Sequence, residues 1–434
     1  MTPPAQPADP TFTETSTVQK WMRERLESLG WTYVPPDEVP RDRIDVFVDE
    51  WLIEALEVLN PEIHGNPERV DEVMPLLRSA TLSAATDGLV SANEAMTVLL
   101  RGDRTVKYVG TDEHVPLRLI DFENLDENSF YVTDEVTYGP VGAGRRYDIV
   151  LWVNGIPLVV IETKTPVKSS VSWLNAARDL TNAYQVEGPA FFAPNVLMVA
   201  TEGRDFHYGA VGQNAENWQQ WGSTATAEDL DGFERVKVSV DGLLSPARVL
   251  SMLQSFALFE RLEDGALVKL VARYPQVEAA ELMHDRVLSE KRRGLISHYQ
   301  GSGKTLLMAY LALMLLNDPE VGGPTILVVS DRIDLVEQTA RQFRTAGTPR
   351  TTVAETRAEL RQMLKDDRRG IVLTTIHRFE REDKDVTTAP VLNTRSNIVV
   401  LVDEAHRTTE GTLGDDMRAA LPNARFFGLT DIPS

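Results

Sequence analysis

The stretch Asp148–Lys164, DIVLWVNGIPLVVIETK, decides the fold. Apolar runs from Ile149 to Val153 and from Leu158 to Ile161 flank Asn154-Gly155, and such runs bounded by turn residues read as two buried strands of a hairpin. Charges at the mouth of a buried hairpin are conspicuous. Glu162 and Lys164 are two apart, so their side chains leave the same face. Asp148 joins that face only if the connection is odd in length or carries a bulge. A loop of Val153-Asn154-Gly155 with Gly155 left-handed is one such connection. A plain two-residue Asn-Gly turn puts Asp148 on the opposite face.

Two carboxylates and an ammonium converging there suit hydrolysis of a phosphodiester. Hard oxygen ligands hold Mg²⁺, which polarises the phosphate and activates water. Asp148 and Glu162 are the expected ligands, with the Thr163 carbonyl as a third, and Lys164 positions the water or stabilises developing charge. A salt bridge at a strand end is the plainer alternative. Glu14 could also reach the metal, although a solvated residue near a helix cap is the simpler reading.

Composition bounds the rest. The chain has 434 residues, with 44 Lys and Arg against 65 Asp and Glu, for a net charge of −21. Length points to two to four compact domains. There are no cysteines, which excludes disulfides, thiolate zinc sites and cysteine nucleophiles. No run approaches a membrane span and the start, MTPPAQPADP, has no secretory apolar region, so the expectation is a cytoplasmic protein with no membrane partner. The acidity argues against nonspecific nucleic-acid binding. Any DNA contact must come from local patches: Arg145-Arg146, Lys164 with Lys168, or Lys291-Arg292-Arg293. Solvated surface is the plainer role for each.

Along the chain, residues 1–14 read as a disordered lead. Thr15-Ser16-Thr17 can cap a helix with Val18, Met22, Leu26 and Leu29 at helical spacing, stopped by Gly30. Residues 45–100 read as further helices. RLIDF and SFYVTDEVTY read as strands leading into the hairpin, Ser172–Tyr184 as a helix, and NVLMVA (195–200) as a buried strand. Gly203–Gly232 is loop-like, and its Trp218 and Trp221 pack under the loop more readily than they stack on bases. Ser245–Glu263 reads as helical.

The second half carries a nucleotide pattern. Gly301-Ser302-Gly303-Lys304-Thr305 precedes the apolar helical run LLMAYLALMLL. Its glycines let backbone N–H groups converge on phosphates at a helix N-terminus, Lys304 supplies a point charge, and the Thr305 hydroxyl ligates Mg²⁺. The strict pattern wants glycine where His298 stands, so the match is partial. Downstream, the apolar strand IVVLV runs into Asp403-Glu404-Ala405-His406, where Asp403 would hold Mg²⁺, Glu404 would orient water and His406 would link nucleotide state to neighbouring motifs. TILVVS and GIVLTT add strands alternating with helices, as a parallel α/β sheet requires. ATP and Mg²⁺ are the expected cofactors.

These motifs carry a resemblance. RYDIVLWVNGIPLVVIETK, RYPQVEAAELM, HYQGSGKTLLMAYLA, VVSDRIDLVEQ, TTIHRF and VDEAHR resemble the N-terminal half of the restriction (R) subunit of type I restriction-modification enzymes. The first 100 residues match loosely. The resemblance implies an α/β protein: a PD-(D/E)xK endonuclease domain with a mixed sheet over residues 15–240, a helical linker over 241–265, and one RecA-like lobe of a superfamily 2 DEAH-type translocase over 266–434. It implies the nuclease triad at Asp148, Glu162 and Lys164, and an adenine-reading element at Arg273 and Gln276. Asp331, Arg332, Gln338, Thr374 and Thr375 would lie near the DNA track, and Thr430 in the motif coupling hydrolysis to lobe movement. The implied partners are double-stranded DNA and the modification (methyltransferase) and specificity subunits, the last supplying sequence choice.

Two departures stand out. The family places a glutamine four residues before a tyrosine on the helix after the triad; here Tyr184 is present but Leu180 holds the glutamine position. The family's Thr-Gly-Thr-Pro is replaced by Thr430-Asp431-Ile432-Pro433. A second lobe with its arginine finger does not follow in this sequence, so the chain alone is expected to bind ATP, to hydrolyse it weakly or not at all, and at most to nick DNA. The alternative reading is a nucleotide-dependent DNA-binding or remodelling module whose nuclease fold is inactive. An RNA helicase fragment needs no Glu-x-Lys hairpin upstream, and in the type III restriction subunit the nuclease follows the motor.

Overall fold

The computed structural model describes residues 18–165, 171–222, 230–298, 303–345, 348, 350–380, 390–403 and 412–431. It divides into two compact units, Met1–Leu253 with Ala266–Tyr274, and Gln254–Gly265 with Pro275–Ser434. That division cuts the 241–265 segment at Leu253 and returns Ala266–Tyr274 to the first unit.

The first unit is built on a seven-stranded mixed sheet whose strands neighbour one another in sequence order: β1 (Thr32–Tyr33), β2 (Phe130–Tyr138), β3 (Arg145–Val153), β4 (Ile156–Thr163), β5 (Leu197–Thr201), β6 (Phe206–Gly209) and β7 (Gln219–Gln220). β1–β2 and β4–β5 are parallel and the other pairs antiparallel. β4 is buried along its whole length, which is why Ile156–Ile161 is continuously apolar rather than alternating, with Glu162 and Thr163 buried at its end.

The hairpin resolves the question of which face Asp148 takes. Asn154 (φ 52°) and Gly155 (φ 76°) form a two-residue turn with both residues left-handed, so the three-residue loop is not formed. Next to the turn, Val153 pairs with Ile156 and Trp152 with Pro157; beyond it, Leu151 pairs with Val159 and Ile149 with Ile161. Leu158 is therefore an extra residue, a β-bulge, and it restores the register that the short turn would have lost. One step further, Asp148 stands opposite Glu162 on the same face.

Gly155 is required here. Val48 N–H donates to the Gly155 carbonyl at 2.9 Å, and a Cβ at 155 would lie 2.4 Å from the Val48 carbonyl and 2.9 Å from the Leu52 nitrogen. Gly155→Ala is expected to destabilise the chain by on the order of 2–4 kcal/mol, read as a lower denaturation midpoint with an unchanged slope.

The site-bearing face of this sheet packs Val150, Trp152, Val160, Met198 and Ala200 against Ala176, Ala177, Leu180, Phe191 and Phe192. The covering helix, α1 (Trp173–Arg178), opens with a capping box between Ser172 and Asn175. It does not run on to Tyr184 as an α-helix, because Asp179–Tyr184 is a π-helical turn. Three other expectations are corrected. RLIDF forms no strand: residues 117–124 are irregular, and the nearest strand is the short Val115–Pro116. Ser245–Glu263 is helical only over Pro246–Ser255 and then extends as the strand Ala257–Arg261. Gly203–Gly232 contains β6 and β7, and Trp218 and Trp221 are buried in the core.

The second unit carries a six-stranded sheet in the order β8 (Arg293–His298), β13 (Arg425–Asp431), β12 (Ile398–Val402), β9 (Thr325–Ser330), β11 (Gly370–Thr375), β10 (Thr351–Val353). Every neighbouring pair is parallel. Leu327, Val329, Val372, Val400 and Val402 meet Leu360, Leu364, Met417 and Leu421 from helices on one face. Parallel strands buried on both faces need such unbroken aliphatic runs. Parallel register also brings the carboxyl ends of the strands to one edge, where ligands of open α/β sheets bind.

Candidate nuclease and nucleotide sites

At the end of the hairpin, Lys164 Nζ lies 2.8 Å from Glu162 Oε1 and 2.7 Å from Asp179 Oδ2. The Tyr184 hydroxyl donates to the same Glu162 oxygen at 3.2 Å. Asp148 Oδ2 accepts from both the Thr163 N–H, at 2.8 Å, and the Thr163 hydroxyl, at 2.7 Å. The expectation for Thr163 was its carbonyl; its other polar groups fix the Asp148 carboxylate. The backbone behind Asp148 is held as well. Its ladder partner Glu135 takes a left-handed φ of 53° and the pairing lapses there, while Asp134–Ile149 and Val136–Tyr147 remain in register. The Asp148 carbonyl accepts from the Gln19 side chain at 3.0 Å. A non-glycine residue in that conformation inside a strand is strained, and the strain sits opposite an acidic residue of the site.

Glu162 is 3% exposed, and its Oε2 has no hydrogen-bond partner among the described residues. Burial first, and the Asp148 charge second, push its carboxyl up to about 7. A buried carboxylate with one oxygen orphaned beside a second carboxylate is what a hard cation would satisfy. Burial alone would lower the Lys164 ammonium, but its bonds to Asp179 and Glu162 more than reverse this and hold it charged. Among the described residues no three His, Cys, Asp or Glu side chains converge as a metal cluster. A cation here would therefore rest on two carboxylates, backbone oxygen and water, as magnesium accepts.

The raised Glu162 pKa sets a pH window. Between its ordinary value of 4.5 and about 7, the folded chain keeps a proton on Glu162 that the unfolded chain gives up. Stability from this group is thus greatest at the acid end of the window and falls as pH rises through it. Glu162→Gln is expected to stabilise the chain at pH 8 by on the order of 2 kcal/mol, read as a higher melting temperature, and to make little difference at pH 5. An equal effect at both pH values would contradict the assignment.

Sequence reasoning missed Asp179, whose place beside Lys164 depends on the π turn. It also missed His207, which stacks on Trp173 with ring centroids 3.5 Å apart and is in register with Ala200, the neighbour of Glu162. Burial pushes this imidazole down to about 4, so it is neutral at physiological pH. The Arg145-Arg146 patch is already engaged, Arg145 with Glu187 and Arg146 with Glu135.

In the second unit, β8 ends at His298 and the helix α2 (Lys304–Asn317) follows. Gly303, in the left-handed conformation (φ 81°, ψ 42°), caps that helix, so Lys304 and Thr305 open it. The Gln276 side chain donates to the Gly303 carbonyl at 3.3 Å. A Cβ at 303 would lie 2.6 Å from the Gln276 amide nitrogen. Asp403 follows β12, its N–H donating to Val329 at 2.9 Å. Across β13, the register sets Asp403 about level with Ile296, so the acidic strand end and the Lys304 loop share the carboxyl edge of the sheet. Arg273 belongs to the first unit and Gln276 to the second. Gly301, Ser302, Glu404, His406, Lys168 and Glu14 lie outside the described residues.

Comparison with known proteins accords with both halves. Residues 11–217 match the type I restriction enzyme R protein N terminus, and residues 275–434 match the SWI2/SNF2 ATPase. The HindI endonuclease subunit of a type I restriction enzyme from Haemophilus influenzae is 32% identical over 96% of this chain. This chain carries the N-terminal domain of type I restriction enzyme R proteins followed by a SWI2/SNF2 ATPase domain. A type I restriction enzyme endonuclease subunit of Staphylococcus aureus is 22% identical over 95% of the chain. The chain spans 42% of the length of each of these relatives. A solved SWI2/SNF2 ATPase core of Sulfolobus solfataricus in complex with dsDNA is 16% identical, covering 37% of this chain and 31% of that one, with a TM-score of 0.28, too loose a superposition to carry weight. The family matches imply use of a nucleotide. No helix among the described residues is long and apolar enough to cross a membrane.

Proposed function

We propose that this chain supplies the endonuclease region and the first motor lobe of a type I restriction R subunit, acting on double-stranded DNA with Mg²⁺ and ATP. The nuclease region is assigned to residues 15–240, the lobe to 266–434 and the join to 241–265. The observation that carries the nuclease reading is the hairpin register, which continued one step past Ile149–Ile161 sets Asp148 opposite Glu162 on one face, with Lys164 bonded to Glu162 and the other Glu162 oxygen without a partner among the described residues. Asp148 and Glu162, with the Thr163 carbonyl, would hold the metal. A bound divalent cation supplies Lewis-acid polarisation of the scissile phosphate and a more acidic water. The chain's own part is to aim the groups. Thr163 and Gln19 hold Asp148, Tyr184 orients Glu162, and the Lys164 ammonium faces the charge that develops on the phosphate.

For the lobe, backbone N–H groups of Gly301, Ser302 and Gly303 would cradle the phosphates, Lys304 would meet the terminal ones, and Thr305 with Asp403 would hold a second Mg²⁺. Glu404 would orient the attacking water. Gln276, bonded to the Gly303 carbonyl, would link adenine reading to the loop, together with Arg273. Modification and specificity subunits are the proposed partners, and sequence choice rests with the latter, which reconciles a chain of net charge −21 with a DNA substrate. The test is nicking of supercoiled plasmid by the full chain with and without Mg²⁺. Metal-dependent nicking supports the reading; none at any Mg²⁺ concentration leaves the inactive-nuclease module in its place.

A further inference from the structure

The helix that covers the site contains a register change. Asp179–Tyr184 is a π turn, and the Gln185 N–H reaches back five residues to the Leu180 carbonyl. In an unbroken α-helix the residue four before Tyr184 would share its face, and that residue is Leu180. Widening the turn moves the shared position back by one. Leu180 is instead fully buried in the core with Tyr147 and Phe191. Asp179 and Tyr184 bond to the charged end of the hairpin, at 2.7 Å from Lys164 Nζ and 3.2 Å from Glu162 Oε1.

We propose that Asp179 is a positioning residue for Lys164, brought beside it by the π turn, and that it keeps the ammonium at the mouth of the hairpin when Glu162 is engaged elsewhere. This rests on the nuclease reading of the hairpin. Among the described residues Lys164 has two anchors, and one of them, Glu162, is the carboxylate a divalent ion would take. An ammonium held by Glu162 alone would lose its partner as the ion arrives. Asp179 sits on a different element, so its hold does not depend on Glu162. Its side chain is 47% exposed, so replacing it leaves the core intact.

Two readouts on the full chain separate this from the nuclease reading itself. The first is modification of Lys164 by an amine-reactive ester, quantified by mass spectrometry with and without Mg²⁺. Lys164 is expected to stay protected in the wild type with Mg²⁺, to become several-fold more reactive in Asp179→Leu, and to be protected again in Asp179→Gln. The second is plasmid nicking, which Asp179→Leu is expected to slow about ten-fold or more with the KM for DNA unchanged, and Asp179→Gln to restore in large part. Lys164 labelling that ignores Asp179 overturns the proposal whatever the nicking result. Nicking by Asp179→Leu at the wild-type rate overturns it too. A wild-type chain that never nicks removes the nuclease reading instead, and the labelling then decides the positioning by itself.

Discussion

Glu162→Ala is expected to abolish metal-dependent nicking, with a loss of about a hundred-fold or more, while ATP binding by the same chain is unchanged. Three functions end on that one side chain: it is the buried carboxylate with a free oxygen, the partner of Lys164 and the acceptor of the Tyr184 hydroxyl. Removing it takes a ligand from the cation and an anchor from the ammonium together. Asp148→Ala should cost a similar factor, because it leaves the Thr163 N–H and hydroxyl without their acceptor as well as removing a ligand. Lys164→Ala should retain cation binding, measurable by titration calorimetry, while losing cleavage. Nicking by all three at the wild-type rate would mean that the hairpin is scaffold. Cleavage lost with an unchanged melting temperature separates chemistry from unfolding.

Lys304→Ala is expected to weaken ATP binding by about a hundred-fold, read by equilibrium titration with a fluorescent ATP analogue. A helix N-terminus with a left-handed glycine cap offers N–H groups and a partial positive charge to an anion. The only full charge in the described part of that loop is Lys304, the first residue of the helix. Nicking in the absence of nucleotide should be untouched by this change, since the hairpin lies in the other compact unit. An unaltered ATP affinity would count against the loop as the phosphate site.

Much of this was legible beforehand. The parallel sheet of the second unit follows from aliphatic runs alternating with helical spacing, because strands covered on both faces have no polar side to write into the sequence. Glu162 and Lys164 stand out in the sequence for the converse reason: charges that end an apolar strand have few uses. What failed were features that turn on a single residue. The sequence left Asp148 two ways onto the Glu162 face, an odd connection or a bulge, and the chain takes the second, with a two-residue turn and a bulge at Leu158. In Leu151–Val159 the one residue type that hints at a bulge is Pro157, which has no N–H to give a ladder and stands beside Leu158; the rest is apolar or turn-forming.

The same holds at Asp179. Read as an α-helix, Ser172–Tyr184 put Leu180 over the site and left a gap in the family pattern. Leu180 goes into the core because Tyr147, Phe191 and Ala177 offer it an apolar seat, and the backbone widens by one residue to let it. The identity of the chain's chemistry was thus written in local order: which residue types end which strands, and in what succession. Which side chains meet was settled by packing, because a shift of one residue reverses the face of a strand or turns a helix by about a hundred degrees, and only the burial of distant neighbours decides between the two registers.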